Sequence, residues 1–129
     1  MNALPGWLLV GLGGGVGAIS RWALVRALIA RFGAGVMPWG TLVVNVVGCL
    51  AIGFALRSPE GAPREEWRLL LVVGLLGGFT TFSTFAHESV TLLREGARGT
   101  AFGYAALSNL LGLAAAWAGS GFGGCLSGR

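Results

Sequence analysis

Long apolar stretches, separated by short segments that hold most of the charged residues, make up almost the whole chain. The charge-free stretches run from Met1 to Ser20, Phe32 to Leu56, Leu69 to His87 and Gly99 to Gly128. Each is close to or longer than the ~18 to 20 residues that cross the hydrocarbon core of a bilayer as an α-helix. Because lipid cannot satisfy exposed backbone groups, and four segments are too few for a barrel, helices are the expected structure. The pattern predicts an all-α membrane protein, a single domain over residues 1–129, with spans at about 4–30, 38–56, 67–94 and 100–125.

Composition and charge support a surface that faces lipid. Charged residues are 11% of the 129 positions and hydrophobic residues 54%, whereas soluble domains carry roughly 25% charge. The net charge of +4 comes from arginines scattered near span ends, which is typical of headgroup anchoring and forms no patch for nucleic acid. Cys49 and Cys125 belong to no CxxC pair, so we interpret both as packing residues. The N-terminus lacks the basic region of a cleaved signal peptide, and we expect the first span to be retained.

The arginines are balanced between the two ends of the predicted spans. Four lie on the side of both termini and four on the other side: Arg57, Arg64, Arg68 and Arg129 against Arg26, Arg31, Arg94 and Arg98. The positive-inside rule therefore gives no preferred orientation. A chain without bias can insert both ways, which predicts an antiparallel homodimer with its two-fold axis in the membrane plane. The alternative is a single orientation, set by arginines that lie closer to the other side than this count assumes.

The first span contains a glycine run from Gly11 to Gly17. Small residues let helix backbones approach closely inside membranes, where no hydrophobic effect drives association. A nucleotide-binding GxGxxG loop does not fit, because Val16 occupies the position of the last glycine. The run predicts close helix packing.

The third span is interrupted at membrane depth by two glycines and a group of hydroxyl residues: Gly77, Gly78, Thr80, Thr81, Ser83 and Thr84. This composition predicts a break in the helix. Membranes tolerate such a break only where it is buried in protein or lines a wet cavity, and the freed carbonyls can then coordinate a cation. A kinked helix that satisfies itself with hydroxyl groups and binds no ligand is the alternative.

Two phenylalanines follow this predicted break. Phe82 and Phe85 are three residues apart and share one helix face. An aromatic ring is electropositive at its edge, so rings turned toward a pore can contact a small anion without trapping it. Ordinary packing or lipid-facing phenylalanines are the alternative.

Other polar residues also lie inside the spans. Asn45 requires a partner for its amide, either on another helix or at an anion. Arg21 either anchors the first helix at the interface or draws anions into a vestibule, and Glu88 is either functional or bonded to a neighbouring span. We assign no function to His87. The fourth span supplies Tyr104, Ser108 and Asn109.

Three segments resemble, in order and spacing, the signature sequences of the Fluc/CrcB family of fluoride channels. They are Gly-Ala-x-x-Arg-Trp at 17–22, Gly-Thr-Leu-x-Val-Asn at 40–45 and Gly-Gly-Phe-Thr-Thr-Phe-Ser-Thr-Phe at 77–85. The resemblance covers nearly the full chain. It implies a multi-pass protein of the plasma or inner membrane, built as a dual-topology homodimer of four-helix subunits with two antiparallel pores and a structural sodium ion at its centre.

Carried over position by position, the resemblance implies roles for individual residues. Phe82 and Phe85 would line the fluoride pore, and Arg21 would be the vestibule cation. The backbone carbonyls of Gly77 and Thr80 would hold the sodium ion. The remaining candidate pore residues are Asn45, Thr81, Ser83, Thr84, Tyr104, Ser108 and Glu88.

The resemblance implies passive export of cytoplasmic fluoride, which protects the cell from fluoride toxicity, and no enzymatic activity. Two other classes compete with this interpretation. A proton-coupled small multidrug transporter requires an acid in the first span, but the first acidic residue here is Glu60. A membrane subunit whose polar break only packs against a partner stays open as the second alternative.

Overall fold

Every described residue that is in regular structure belongs to a helix. The computed structural model describes residues 4–35, 37–55 and 65–126, with side chains up to 121, and these residues contain no strand. The helices are α1 (Gly6–Phe32), α2 (Trp39–Ala55), α3 (residues 65–79), α4 (Phe82–Arg94) and α5 (Arg98–Leu126). Together α3 and α4 form the third span. The predicted all-α architecture, with four helical segments of which the third is interrupted, is therefore confirmed for this part of the chain.

Three helical segments are long and apolar enough to cross a membrane: Gly6–Phe32, Glu65–Arg94 and Arg98–Gly121. The helix α2 has 17 residues, which is at the lower end of the length that spans the hydrocarbon core. The chain is thus a multi-pass membrane protein.

The helix ends lie within two residues of the predicted ones, and local chemistry sets them. The extended residue Pro5 precedes α1, and Gly33 ends it with a φ of 79° that favours glycine. At the start of α3 the guanidinium group of Arg68 forms an ion pair with Glu65 at 2.8 Å. A second left-handed glycine, Gly96, separates α4 from α5. The segment between the second and third predicted spans falls largely on residues 56–64, which lie outside the described residues.

The predicted break in the third span is present at Thr80 and Thr81. Both residues are extended, with φ and ψ of −81° and 157° at Thr80 and of −151° and 112° at Thr81. The segment before the break, Arg68–Leu76, is π-helical. Because π-helical turns are rare and cluster at functional sites, this segment and the break mark the third span as the irregular one.

Glycines allow α1 and α3 to lie in backbone contact, as the glycine run predicts. A Cβ atom on Gly13 would collide with the Leu70 carbonyl, and one on Gly17 would collide with the carbonyl of Leu75. Not every glycine of the run makes such a contact, because a Cβ atom on Gly15 would meet nothing within 4 Å. The contacting glycines therefore allow the first half of the third span to pack closely on α1.

The helix pair α2 and α5 is also packed through small residues. A Cβ atom on Gly53 would collide with the Ala116 carbonyl, and one on Gly119 with the Leu50 carbonyl. The buried core is small: one cluster contains Leu42, Leu92, Ala101 and Tyr104, and Leu9, Val44 and Leu76 are buried elsewhere among the described residues. Large apolar side chains cover the outside instead, which suits a protein whose solvent is lipid.

Candidate functional site

Asn45 on α2 bonds to the backbone of the break. Its side-chain oxygen accepts the N–H of Thr81 at 3.0 Å, and its Nδ2 donates to the Thr81 carbonyl at 3.3 Å. In a continuous helix the Thr81 N–H would donate to the carbonyl of Gly77. The Asn45 amide therefore replaces the hydrogen bond that the Thr81 N–H would form in a continuous helix. Its role as a bond between helices is thus observed, and one N–H of Nδ2 lies outside these two bonds.

The hydroxyl group of Thr81 caps the second half of the span. It accepts the N–H of Thr84 at 3.2 Å and donates to the Thr84 hydroxyl at 2.8 Å. In a continuous helix the Thr84 N–H would donate to the carbonyl of Thr80 instead. Thr80 closes the first half by donating its own hydroxyl to the Leu76 carbonyl at 2.9 Å. Side-chain oxygens thus accept the N–H groups of Thr81 and Thr84. The carbonyls of Gly77 and Thr80 are therefore left without the hydrogen bonds that a continuous helix would give them.

A cavity of about 340 Å³, here called the break cavity, lies beside the interruption. Its walls include these candidate pore and metal residues: Asn45, Gly77, Thr80, Thr81, Phe82, Phe85 and Ser108. The hydroxyl oxygen of Ser108 is buried and has no hydrogen-bond partner among the described residues. Seven of the sequence-predicted residues, from α2, α3, α4, α5 and the break, therefore meet at one place. Cys49, half-buried, also lines this cavity.

The two phenylalanines differ in their environments. Their ring centroids are 5.7 Å apart, which confirms that they share a face. Phe85 packs on the core and lies 5.2 Å from the ring of Tyr104. Phe82 is 80% exposed. Within one chain, the ring of Phe85 is therefore packed and the ring of Phe82 is not.

Glu88 on α4 joins three helices. Its carboxylate accepts the Thr41 hydroxyl of α2 at 2.8 Å and the Tyr104 hydroxyl of α5 at 2.7 Å. The bonds between spans that the sequence allowed for Glu88 are thus present. Tyr104 is fully buried and lines neither the break cavity nor the second cavity described below. Thr41 was not among the predicted site residues, although its spacing of four from Asn45 places both on one face of α2.

A second cavity of about 290 Å³, here called the arginine cavity, adjoins the first one. Its lining includes Arg21, Arg26, Thr81, Thr84 and Glu88. Since Thr81 lines both cavities, polar groups continue from the arginines to the break. Ser83, like Tyr104, is a candidate pore residue that lines neither cavity. It is exposed, and its hydroxyl lies 3.5 Å from that of Thr81.

The geometry and the sequence agree with one known family. The family model described as CrcB-like protein, Camphor Resistance (CrcB), matches residues 8–120, which includes every residue of both cavities. The chain belongs to the CrcB family.

Curated members of the CrcB family resemble this chain along most of its length. A protein of Thermus thermophilus named fluoride-specific ion channel FluC is 48% identical over 123 residues, which cover 95% of this chain and 98% of the relative. A FluC of Solibacter usitatus is 47% identical over 116 residues, covering 88% and 94%. A FluC of Caulobacter vibrioides is 44% identical over 124 residues, covering 92% and 93%.

Proposed function

We propose that this CrcB protein is a fluoride-selective channel that lets cytoplasmic fluoride leave the cell passively. The observation that carries the proposal is the break cavity. There the residues Phe82, Phe85, Asn45 and Ser108 line one cavity at membrane depth. Fluoride is small and strongly hydrated, so a pore must replace its lost water with close donors. Relatives that share nearly half of the sequence carry the name fluoride-specific ion channel.

The physiological role follows from acid–base chemistry. HF crosses membranes uncharged and dissociates in the less acidic cytoplasm, where the anion is then trapped. An inside-negative potential drives the anion outward with ~2.3 kcal/mol per charge per 100 mV. A selective pore therefore protects the cell from fluoride and requires no ATP, because the membrane potential drives the export.

The pore needs a second copy of the chain. In one copy Phe82, Ser83 and Thr84 are exposed at membrane depth, and lipid cannot satisfy the polar groups of such a surface. The balanced arginines favour an antiparallel partner, because neither orientation is preferred. Of these arginines Arg57, Arg64 and Arg129 lie outside the described residues. An antiparallel homodimer would cover the exposed ring of Phe82 in each copy and enclose two pores.

The carbonyls released at the break fit a structural sodium ion. Hard cations take oxygen ligands, and irregular backbone inside membranes supplies such ligands as carbonyls. Gly77 and Thr80 have these carbonyls because Asn45 and Thr81 hold the N–H groups that would otherwise use them. With each of two copies giving two carbonyls, the ion would tie the subunits together at the break.

Purified protein in liposomes loaded with fluoride tests the channel. We expect fluoride efflux after a potassium ionophore clamps the potential, without a proton gradient and without another protein. Chloride-loaded liposomes measured in the same way serve as the control and should release little chloride. A requirement for a proton gradient would favour a coupled transporter instead, and no flux at all would reject transport.

Dual topology has a separate test. A cysteine placed after Arg129, in a background without Cys49 and Cys125, should react with a membrane-impermeant reagent from both faces of the membrane at native expression. We expect this because equal numbers of arginines at both ends of the spans give the chain no preferred orientation. Labelling from one face alone would reject the antiparallel dimer.

A further inference from the structure

We propose that Arg26, in addition to Arg21, captures fluoride at the mouth of the pore and sets how fast the anion enters. This inference rests on the proposed function and extends it to a residue outside the three signature segments at 17–22, 40–45 and 77–85. It assigns Arg26 a role in entry and none in selectivity.

The arginine cavity places Arg26 on the route to the break. Arg26 lines this cavity together with Thr81 and Thr84, and Thr81 also lines the break cavity. Hydroxyl groups of Thr81 and Thr84 therefore lie between an anion held near Arg26 and the break. Arg31, one and a half turns further along α1, is not among the lining residues.

Arg26 determines whether the lining of the arginine cavity carries a net formal charge. The lining carries two positive groups, Arg21 and Arg26, and the negative carboxylate of Glu88. With Arg26 the formal charge is positive, and without it Arg21 and Glu88 cancel. A cavity with low-dielectric walls focuses the field of its net charge, which raises the local concentration of counter-ions and their rate of entry.

The side chain of Arg26 is held in place and remains accessible. Its guanidinium carbon lies 5.7 Å from the ring centroid of Trp22, one turn earlier on the same helix face. Arg26 itself is exposed and forms no ion pair among the described residues. A positive group that is positioned but not neutralised can attract a passing anion and release it again.

The test measures fluoride efflux from liposomes that contain wild-type protein, Arg26→Gln, Arg26→Lys or Arg31→Gln, with fluoride well below saturation. Arg26→Gln should lower efflux about fivefold at about 10 mM ionic strength, where the Debye length is ~30 Å, and by less than about 1.5-fold at about 1 M, where it is ~3 Å. Arg26→Lys keeps the charge and should stay within about twofold of wild type. The fluoride-to-chloride preference should not change in any variant.

Arg31→Gln is the matched control. It removes one arginine from the same end of α1, where the Arg31 guanidinium carbon lies 5.6 Å from the Phe32 ring, and changes the arginine balance in the same way. Equal losses in Arg26→Gln and Arg31→Gln, or a loss that persists at high salt, would overturn the role of Arg26. Wild-type protein that passes no fluoride at either salt would overturn the channel itself, so the two failures are distinguishable.

Discussion

Phe82→Ile is expected to lower fluoride efflux by about tenfold while the protein stays folded. An aromatic contact worth ~1 to 1.5 kcal/mol at the transport barrier corresponds to about tenfold in rate. Isoleucine removes the electropositive ring edge and keeps an apolar side chain. Because Phe82 is 80% exposed in the single chain, the change costs the subunit little packing energy. Efflux from liposomes and the gel-filtration profile are the two measurements.

Phe85→Ile should lower efflux comparably, but with a loss of stability. Its ring packs on Tyr104 and the core, so we expect a cost of roughly 1 kcal/mol in unfolding free energy. Phe102→Ile is the control, because Phe102 is 70% exposed on α5 and lines neither cavity. Wild-type efflux in both Phe82→Ile and Phe85→Ile would remove the rings from the mechanism. A Phe102→Ile channel as slow as Phe82→Ile would do the same.

Asn45→Leu is expected to abolish both fluoride efflux and stabilisation by sodium. Loss of the amide leaves the N–H and carbonyl of Thr81 without their partner, at a cost of about 1 to 3 kcal/mol. The Thr81 N–H can then return to the Gly77 carbonyl, which removes a proposed sodium ligand. The thermal midpoint in detergent, measured in sodium chloride and in choline chloride, reports this coupling.

Sodium should raise the midpoint of the wild-type protein, because a ligand present at 100 times its Kd adds about 2.7 kcal/mol. Asn45→Leu should show no such difference between the two salts. Asn109→Leu makes the same exchange at an exposed amide that also lines the break cavity but donates to Ala105 within its own helix. This control therefore tests the bonds to Thr81 and not the mere presence of an amide, and it should keep the response to sodium. Identical wild-type midpoints in both salts would contradict the sodium site.

The fold follows from the sequence to a large extent. The charge-free stretches predicted four spans because a bilayer has a fixed thickness, and each observed helix end lies within two residues of its predicted position. The break was predictable because two glycines and four hydroxyl residues are a poor choice for a lipid-facing helix. The CrcB family was recognisable from the same residues.

The partners within the site depended on the tertiary structure. Spacing along one helix defines a shared face, as it did for Phe82 and Phe85, but it does not give the rotation of one helix against another. Glu88 takes its two donors from Thr41 and Tyr104 on other helices, and Asn45 reaches the backbone of Thr81 across 36 positions of sequence. Arg26 shares the arginine cavity with Thr41 of α2 and Glu88 of α4, which are distant from it in sequence. The sequence by itself determined the spans, the break and the residue types available there. Packing between helices decided which carbonyls are released and which charges meet, because those contacts join residues that no local pattern connects.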